Sequence, residues 1–178
     1  METLFQRLLA PLLLLLALPA AVQAQFTYTT NNGAITITGY TGSDSVVTIP
    51  TTITGLPVTS IGNRAFGYCT NLTNVTIPNS ITSLGQGAFY FCTSLTNVTI
   101  GAGFTSLGQD VFCYCWSLTS VTIPASVTSI GGSAFYDCSS LTNLTIPASV
   151  TSIGEHAFSF CTRLTSITIP SSVTNIVW

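Results

Sequence analysis

The protein has 178 residues, and 4% of them are Asp, Glu, Lys or Arg, whereas an ordinary globular domain carries about 25%. Three basic and five acidic residues give a net charge of -2, which excludes the basic patch that binding to nucleic-acid phosphates needs. Apolar residues make up 47% of the chain, and this proportion excludes disorder driven by charge.

The chain begins with a segment, 1–24, that has the three parts of a secretory signal peptide. Arg7 precedes an apolar run, and Val22 and Ala24 place small residues at the -3 and -1 positions of a cleavage site. A membrane anchor is the alternative, but the apolar stretch 8–22 has 15 residues with two prolines, fewer than the roughly 20 that a spanning helix needs. We therefore expect export, cleavage after Ala24 and no membrane span in the mature chain.

A gap-free repeat of 23 residues accounts for most of the remaining sequence. Five complete blocks, coils 1 to 5, begin at Ile61, Leu84, Leu107, Ile130 and Ile153. A sixth block begins at Ile176, and a partial unit with five extra residues around Gly55 precedes the first block.

Apolar residues occupy the same positions in every complete coil. The Phe column is Phe66, Phe89, Phe112, Phe135 and Phe158; the Leu column is Leu72, Leu95, Leu118, Leu141 and Leu164; the Cys column is Cys69, Cys92, Cys115, Cys138 and Cys161. A position that is apolar in every coil is one where each coil packs on the next, as in a solenoid, whose single units cannot bury their own apolar face.

The pattern within one coil predicts short elements. The segment 121–123 alternates apolar and polar β-branched residues, which predicts a strand, and Pro124 ends it because proline lacks the N–H that a ladder needs. The segment 127–130 predicts a second short extended piece. The segment 133–138 carries apolar residues at helical spacing, which predicts one or two helical turns, partly 3₁₀.

The repeated motif LxxVxIPxSVTxIGxxAFxxC resembles the BspA-like leucine-rich repeats, a 23-residue class found on many bacterial surface proteins. The resemblance covers 47–176. It implies a leucine-rich-repeat solenoid in which parallel β-strands stack coil on coil, with short helical or 3₁₀ turns on the other side, and it implies secretion or surface display. It implies no catalytic residue, because the motif contains none.

The two ends of the repeat array differ. Alternating segments flank Asn32-Gly33 within 26–40, a strong signal for a hairpin, so we expect a capping hairpin over 25–45 and the solenoid over 46–178. The last coil is incomplete at Trp178 and has no comparable cap, although solenoids generally need one. The two interpretations are a fragment and an end that pairs with another molecule.

The sequence offers little for catalysis or metal binding. His156 is the single histidine and stands beside Glu155 and among serines, the residue types of a hydrolase triad. The equivalent positions in the other coils are Arg64, Gly87, Asp110 and Ser133. A position that varies so freely is typical of a solvated surface, and one histidine with scattered acids does not supply convergent metal ligands. We expect no catalytic residue, no metal and no cofactor.

Six cysteines in an exported chain raise the question of disulfides. Five of them form the Cys column, and Cys113 is extra. Stacked coils separate equivalent positions by about 4.8 Å, longer than the roughly 3.5–4.5 Å between the Cβ atoms of a disulfide, and free cysteine is a good small core residue. We expect buried thiols. The alternative is that one disulfide involves Cys113.

Threonine recurs at three further positions, those of Thr73, Thr76 and Thr82, in every complete coil. Threonine suits an exposed strand position and keeps a sheet soluble without charge. A sharper alternative is a regular hydroxyl lattice that orders water, similar in surface chemistry to threonine-rich ice-binding solenoids.

Aromatic residues cluster beside the Cys column, in the most variable part of the repeat. Tyr68, Phe91, Tyr114 and Phe160 share one register, with Tyr90, Tyr136 and Trp116 nearby. Some of them pack under the adjacent turn in one interpretation; in the other they form an exposed strip for protein or glycan contact. The candidate partner-binding set is Tyr68, Phe91, Tyr114, Trp116, Tyr136 and Phe160.

These observations predict a secreted or surface-displayed, non-enzymatic leucine-rich repeat protein that acts as a protein-interaction or adhesion module. Its expected partner is a protein or a glycan. One alternative is a structural solenoid that self-associates end to end through its uncapped C-terminal end. A minor alternative is a threonine array that binds ice or another surface.

Overall fold

The computed structural model describes residues 25–177; the predicted signal peptide, 1–24, and Trp178 lie outside the described residues. The described chain is a β-solenoid of about six turns, with a curled mixed sheet at its N-terminal end. No helix in this part of the chain is long and apolar enough to cross a membrane. The strands are β1 Phe26–Asn31, β2 Ala34–Tyr40, β3 Val46–Thr48, β4 Thr52–Ile53, β5 Leu56–Ile61, β6 Asn74–Ile77, β7 Ser83–Leu84, β8 Asn97–Ile100, β9 Ser106–Leu107, β10 Ser120–Thr122, β11 Ser129–Ile130, β12 Asn143–Thr145, β13 Ser152–Ile153 and β14 Asn175–Ile176.

The first sheet takes one short strand from each of five turns, in the order β12, β10, β8, β6, β3, and all pairs are parallel. From β6 onwards paired residues are one repeat apart, as in Val75 opposite Val98. Val47 and Val75, which pair across β3 and β6, are further apart because the extra residues around Gly55 lie between them. The buried valines alternate with threonines that lie nearer the solvent, so the predicted strand at 121–123 is confirmed.

A second set of short strands lies on another side of each turn. The strands β9, β11, β13 and β14 pair in parallel, and β7 pairs with β5. Ser129 lies opposite Ser152 and Ile130 opposite Ile153. The extended segment predicted at 127–130 is therefore also a stacked strand.

The prediction of helical turns over 133–138 is wrong, since no helix is seen in residues 25–177. The N–H groups of Ser133, Phe135 and Asp137 donate to carbonyls of coil 5 at 2.8–2.9 Å, and the intervening N–H groups donate three residues back at 3.1–3.3 Å. Ser133 and Asp137 also have positive φ, 54° and 53°. An α-helix needs each N–H to bond four residues back, but here alternate N–H groups join successive coils.

The core lies between the two sets of stacked strands and is built largely from the Phe and Leu columns. Phe66, Phe89, Phe112 and Phe135 are fully buried, with ring centroids 5.0–5.5 Å apart and interplanar angles of 13–22°. Phe158 continues the stack at 5.7 Å and is half-buried. The Leu column is buried except for half-buried Leu164. Such ring pairs contribute about 0.5–1.5 kcal/mol each beyond the burial of their area.

The predicted N-terminal hairpin is confirmed. β1 and β2 are antiparallel around Asn32 and Gly33, whose φ angles of 49° and 74° suit a tight hairpin turn. The strand β2 also pairs in parallel with β5 and so continues the stack. Tyr40 stacks on Phe66 at 5.4 Å and Phe26 meets the same ring at 6.3 Å. The hairpin therefore covers the N-terminal end of the Phe column.

The extra residues around Gly55 form a second hairpin. β4 and β5 are antiparallel, with Thr54 and Gly55 between them at φ 50° and 82°. Two consecutive residues at positive φ again reverse the chain tightly. The insertion thus lengthens one turn without disturbing the parallel pairing of β3 with β6.

Candidate binding surface

Seven aromatic side chains form one continuous cluster at the turns that follow the Phe column. This aromatic strip consists of Tyr68, Tyr90, Phe91, Tyr114, Trp116, Tyr136 and Phe160. Neighbouring ring centroids are 5.1–6.4 Å apart. Phe160 is 62% exposed, Tyr68 57% and Trp116 41%, and the other four rings are half-buried. The structure thus brings all six candidate residues together on the surface.

The backbone holds four of these rings in a strained conformation. Tyr68, Phe91, Tyr114 and Phe160 have φ of 63°, 59°, 62° and 61°. The left-handed region costs a residue with a Cβ roughly 1–2 kcal/mol, and glycine usually occupies it. Asp137 has the same conformation in the fourth coil, with φ 53°, so positive φ at this register belongs to the repeated turn of every coil.

The rings of the strip meet mostly edge to face. The interplanar angle is 89° between Tyr90 and Tyr114, 78° between Tyr114 and Tyr136, and 66° between Phe91 and Trp116. Edge-to-face contacts are favourable and hold neighbouring rings in fixed orientations. These contacts join rings of neighbouring coils, so the stacking of the solenoid sets the orientation of the rings in the strip.

Polar side chains lie beside several rings of the strip. The guanidinium carbon of Arg64 lies 5.1 Å from the centroid of the Tyr90 ring. Trp116 Nε1 donates to Asp137 Oδ2 at 2.9 Å, and Gln86 Nε2 donates to Asp110 Oδ2 at 3.0 Å. The strip is thus bordered by a cation near its N-terminal end and by two carboxylates near its centre.

Five residues of this surface were missing from the candidate set, namely Tyr90 and the polar residues Arg64, Gln86, Asp110 and Asp137. Tyr90 and Tyr136 occupy the same register, two repeats apart, and each precedes a member of the Tyr68 register. Asp137 stands in that register itself, and Asp110 in the register of Arg64. The repeat alignment shows which residues share a register, but it does not show which registers are in contact in the folded chain.

The Cys column lies inside the solenoid. Cys92, Cys115, Cys138 and Cys161 are buried, and each thiol donates to the carbonyl oxygen of the Phe residue one coil earlier at 3.0–3.3 Å. Cys69, in the first complete coil, is half-buried, and Cys113 is buried outside the column. All six are free thiols in the structure. A small side chain with one weak donor fits this repeated position well.

The buried thiols predict a loss of stability at alkaline pH. Burial raises the pKa of Cys69 and Cys113 to about 12 and that of Cys161 to about 11. Unfolded thiols ionise near pH 9, so only the unfolded state releases their protons between pH 9 and the folded-state values. The free energy of unfolding should therefore hold below pH 9 and fall as the pH rises towards 11–12, as measured by denaturant midpoints.

A matched variant tests the thiol origin of this effect. Cys113→Ser places the residue found at the equivalent Ser159, and it should reduce the slope of stability against pH between 9 and 10. An unchanged slope would contradict the assignment. Thiol titration of the unfolded, unreduced protein should count six thiols, and fewer than four would contradict the buried column.

Two of the threonine columns are part of the backbone scaffold. Hydroxyls in the Thr73 and Thr82 columns donate to backbone carbonyls of the preceding coil at 2.9–3.3 Å. The Thr76 column lies on the outer face of the first sheet, where Thr99, Thr122 and Thr145 are exposed. Threonine thus strengthens the stacking as well as keeping the surface soluble.

His156 lies between two polar side chains at the surface. Its Nε2 is 3.2 Å from Glu155 Oε1 and its Nδ1 is 3.4 Å from Ser159 Oγ. His156 and Glu155 side chains are 56% and 57% exposed, and exposed pairs of this kind contribute little. Within 25–177 no group of three or more His, Cys, Asp or Glu residues is arranged to hold a metal ion.

The repeats match a family model described as a BspA type leucine rich repeat region, in six copies over residues 59–177. The chain belongs to the BspA-type leucine-rich repeat family. The resemblance seen in the repeat motif is thereby confirmed. No curated protein matches this BspA-type chain.

Solved structures of bacterial leucine-rich repeat proteins are similar to this BspA-type chain. The T. pallidum leucine rich repeat protein is 30% identical with a TM-score of 0.79, covering 86% of this chain and 79% of that one. A leucine-rich repeat protein from Bacteroides ovatus is 32% identical with a TM-score of 0.78, and the match covers 86% of this chain and 42% of that one. A leucine rich cell surface protein from Faecalibacterium prausnitzii is 36% identical with a TM-score of 0.69, and the match covers 84% of this chain and 37% of that one. The chain therefore spans less than half of the latter two proteins.

Proposed function

We propose that this chain is a secreted or surface-displayed, non-enzymatic module that binds a protein partner through the aromatic strip and so acts in adhesion or protein interaction. The strip itself supports this most strongly. It joins seven rings on one surface, three of them 41–62% exposed. Tyrosine and tryptophan dominate the energetics of protein interfaces because they bring large contact area with few rotatable bonds.

The family supports the coarser part of the proposal, since leucine-rich repeats of this type are typically non-enzymatic binding modules. A similar structure is described as a leucine rich cell surface protein. Export rests on the signal-peptide pattern at 1–24, which lies outside the described residues and stays a prediction. Together these observations favour a partner outside the cell.

The test is binding to a panel of purified extracellular-matrix proteins, cell-surface proteins and glycans. The double variant Tyr114→Ala/Trp116→Ala removes two adjacent rings from the middle of the strip. We expect at least a tenfold loss of affinity for a protein bound by the wild type, because central aromatic anchors each contribute about 2 kcal/mol or more. Surface plasmon resonance measures the affinity, and circular dichroism confirms that the variant folds.

The matched control is Thr99→Ala/Thr122→Ala, two truncations on the exposed face of the first sheet. This variant should bind as the wild type does. If the threonine variant lost affinity and the aromatic variant kept it, the sheet face would be the binding surface and the proposal would fail. Capture of glycans alone would contradict a protein partner.

End-to-end assembly and ice binding, the two alternatives from the sequence, stay predictions. Light scattering against concentration measures the first, and inhibition of ice recrystallisation the second. Because two threonine columns already bond to backbone carbonyls, the Thr76 column is the array that an ice-binding surface would use.

A further inference from the structure

We propose that the aromatic strip binds a proline-rich segment of its partner in the polyproline II conformation, laid along the axis of the solenoid. This inference rests on the proposed function and adds the chemistry of the partner. It is carried by the order of the rings along the strip, by the distance at which that order repeats, and by the tyrosine hydroxyls of the strip.

The strip contains a zigzag of five rings, one from each complete coil. Tyr68, Tyr90, Tyr114, Tyr136 and Phe160 follow one another at centroid distances of 5.5, 5.6, 5.5 and 5.1 Å. The interplanar angles along this series are 68°, 89°, 78° and 66°. Each ring therefore meets the next edge to face. The rings of coils 1, 3 and 5 form an odd row, and those of coils 2 and 4 form an even row.

The sequence alternates in the same way. The position directly after the Phe column is small in the odd coils, as Gly67, Cys113 and Ser159, and is tyrosine in the even coils, as Tyr90 and Tyr136. In the odd coils the following position supplies the ring of the zigzag instead. The ring surface of the zigzag therefore repeats every two coils, although the backbone repeats every coil.

The two-coil distance matches one kind of polypeptide backbone. Adjacent coils are about 4.8 Å apart, so the rings of one row recur about every 9.6 Å. A polyproline II helix has three residues per turn and rises about 3.1 Å per residue, so one side of it recurs about every 9.3 Å. One side of a β-strand recurs about every 6.6–6.8 Å, and one and two turns of an α-helix rise about 5.4 and 10.8 Å. The polyproline II helix agrees best with the spacing of the rings.

The length of the odd row sets the length of the bound segment. From Tyr68 to Phe160 the row spans four coil spacings, about 19 Å, and six residues of polyproline II rise about 18.6 Å. Residues 1, 4 and 7 of a seven-residue segment therefore meet Tyr68, Tyr114 and Phe160. Proline suits these positions because its apolar ring packs on aromatic side chains, and its fixed φ lowers the entropy cost of ordering the segment.

The hydrogen-bonding groups of the strip also suit this partner. A polyproline II helix has no internal hydrogen bonds, so its carbonyl groups need donors from outside. Within residues 25–177 the tyrosine hydroxyl that has a partner in the chain is that of Tyr40, which donates to Gln25 at 3.1 Å. The hydroxyls of Tyr68, Tyr90 and Tyr114 have none in that part of the chain, as does that of Tyr136, and a tyrosine hydroxyl is a donor at neutral pH.

The experiment measures binding of short peptides to the full chain by isothermal titration calorimetry. The probe is acetyl-heptaproline-amide, and the control is the same peptide made of D-proline, which has equal composition and rise but the opposite hand. We expect the L-peptide to bind at least tenfold more tightly than the D-peptide. Absence of binding by the L-peptide, or equal binding of the two, would overturn the proposal.

A second pair of peptides tests the period at constant composition. Acetyl-Pro-Ala-Ala-Pro-Ala-Ala-Pro-amide has a proline at every third residue, whereas acetyl-Pro-Ala-Pro-Ala-Pro-Ala-Ala-amide has one at every second. The first should bind at least threefold more tightly, because its prolines recur with the rings of the odd row. Equal affinities would refute the match between the two-coil distance and the polyproline II turn.

A matched pair of variants places the site. Tyr114→Leu removes the middle ring of the odd row, whereas Tyr28→Leu makes the same change at an exposed tyrosine of β1, outside the strip. We expect at least a fivefold loss of heptaproline affinity for the first variant and less than a twofold loss for the second. Equal losses would show that the peptide binds elsewhere, and the site would be refuted. Circular dichroism checks that both variants fold.

These peptide measurements separate the inference from the proposed function. If a protein of the panel bound through Tyr114 and Trp116 while heptaproline did not bind, the proposed function would stand and the polyproline II site would be refuted. If heptaproline bound through Tyr114 and no protein of the panel did, the site would stand and the search for a partner would turn to proline-rich extracellular proteins.

Discussion

Replacing Phe112 with alanine should lower the free energy of unfolding by about 4 kcal/mol, since buried Phe→Ala changes cost about 3–5 kcal/mol. Phe112 is fully buried and stacks between Phe89 and Phe135 at 5.5 Å on each side. Its removal breaks two ring contacts and leaves a cavity that the neighbouring coils, tied by backbone hydrogen bonds, cannot close. Denaturant unfolding followed by circular dichroism measures the loss.

Phe160→Ala is the control for the same chemical change. Phe160 is 62% exposed on the aromatic strip, so its truncation should change the free energy of unfolding by less than about 1 kcal/mol. Phe158→Ala, at the half-buried end of the column, should fall between the two. Similar losses for Phe112→Ala and Phe160→Ala would contradict the division between a structural column and a surface strip.

Gly131→Ala should destabilise the protein by about 3 kcal/mol, the upper part of the range for overpacked positions. A Cβ at Gly131 would lie 2.6 Å from the carbonyl carbon of Gly108 and 2.7 Å from the nitrogen of Gln109. Both are backbone atoms of the preceding coil, which parallel pairing of the flanking strands holds in place. The new methyl group can be accommodated only if the coils move apart.

The same substitution at Gly108 is the matched control. Gly108 occupies the equivalent position one repeat earlier, but its nearest atom to a new Cβ is the Leu84 carbonyl oxygen at 3.3 Å. We expect Gly108→Ala to cost about 1 kcal/mol or less. Thermal melting of the two variants tests the difference, and a neutral effect of Gly131→Ala would show that coil spacing is looser than the structure indicates.

Much of the fold was predictable because a gap-free repeat leaves few arrangements open. Equivalent residues such as Phe89 and Phe112 must lie above one another if every coil has the same path, and their burial and stacking confirm it. Asn32-Gly33 predicted the hairpin because few dipeptides adopt two consecutive positive φ angles. The helical turns were mispredicted because apolar spacing in a six-residue segment does not show whether an N–H bonds within its own coil or to the next.

The candidate site was predictable in part. The sequence placed Tyr68 and Phe160 in one variable register and left open whether its rings are packed or exposed. The structure exposes both, and contacts of Phe91 and Phe160 join that register to Trp116 and Tyr136. The inclusion of Tyr90 and the placement of Asp137 against Trp116 depend on contacts between different registers. An alignment of the repeats shows which residues stack within one register. It does not show which residues of different registers touch.

The sequence by itself determined the period, the columns, the strand positions and the use of threonine in place of charged residues at the surface. Each of these follows from a local pattern that is repeated without gaps. The tertiary structure decided which N–H groups join successive coils, which aromatic rings touch, and where the carboxylates of Asp110 and Asp137 lie. The physical reason is that these features depend on the tight turns after the Phe column, where positive φ angles and hydrogen bonds between coils set the direction of each side chain. Side-chain direction there is a property of the stacked coils, and no single coil specifies it.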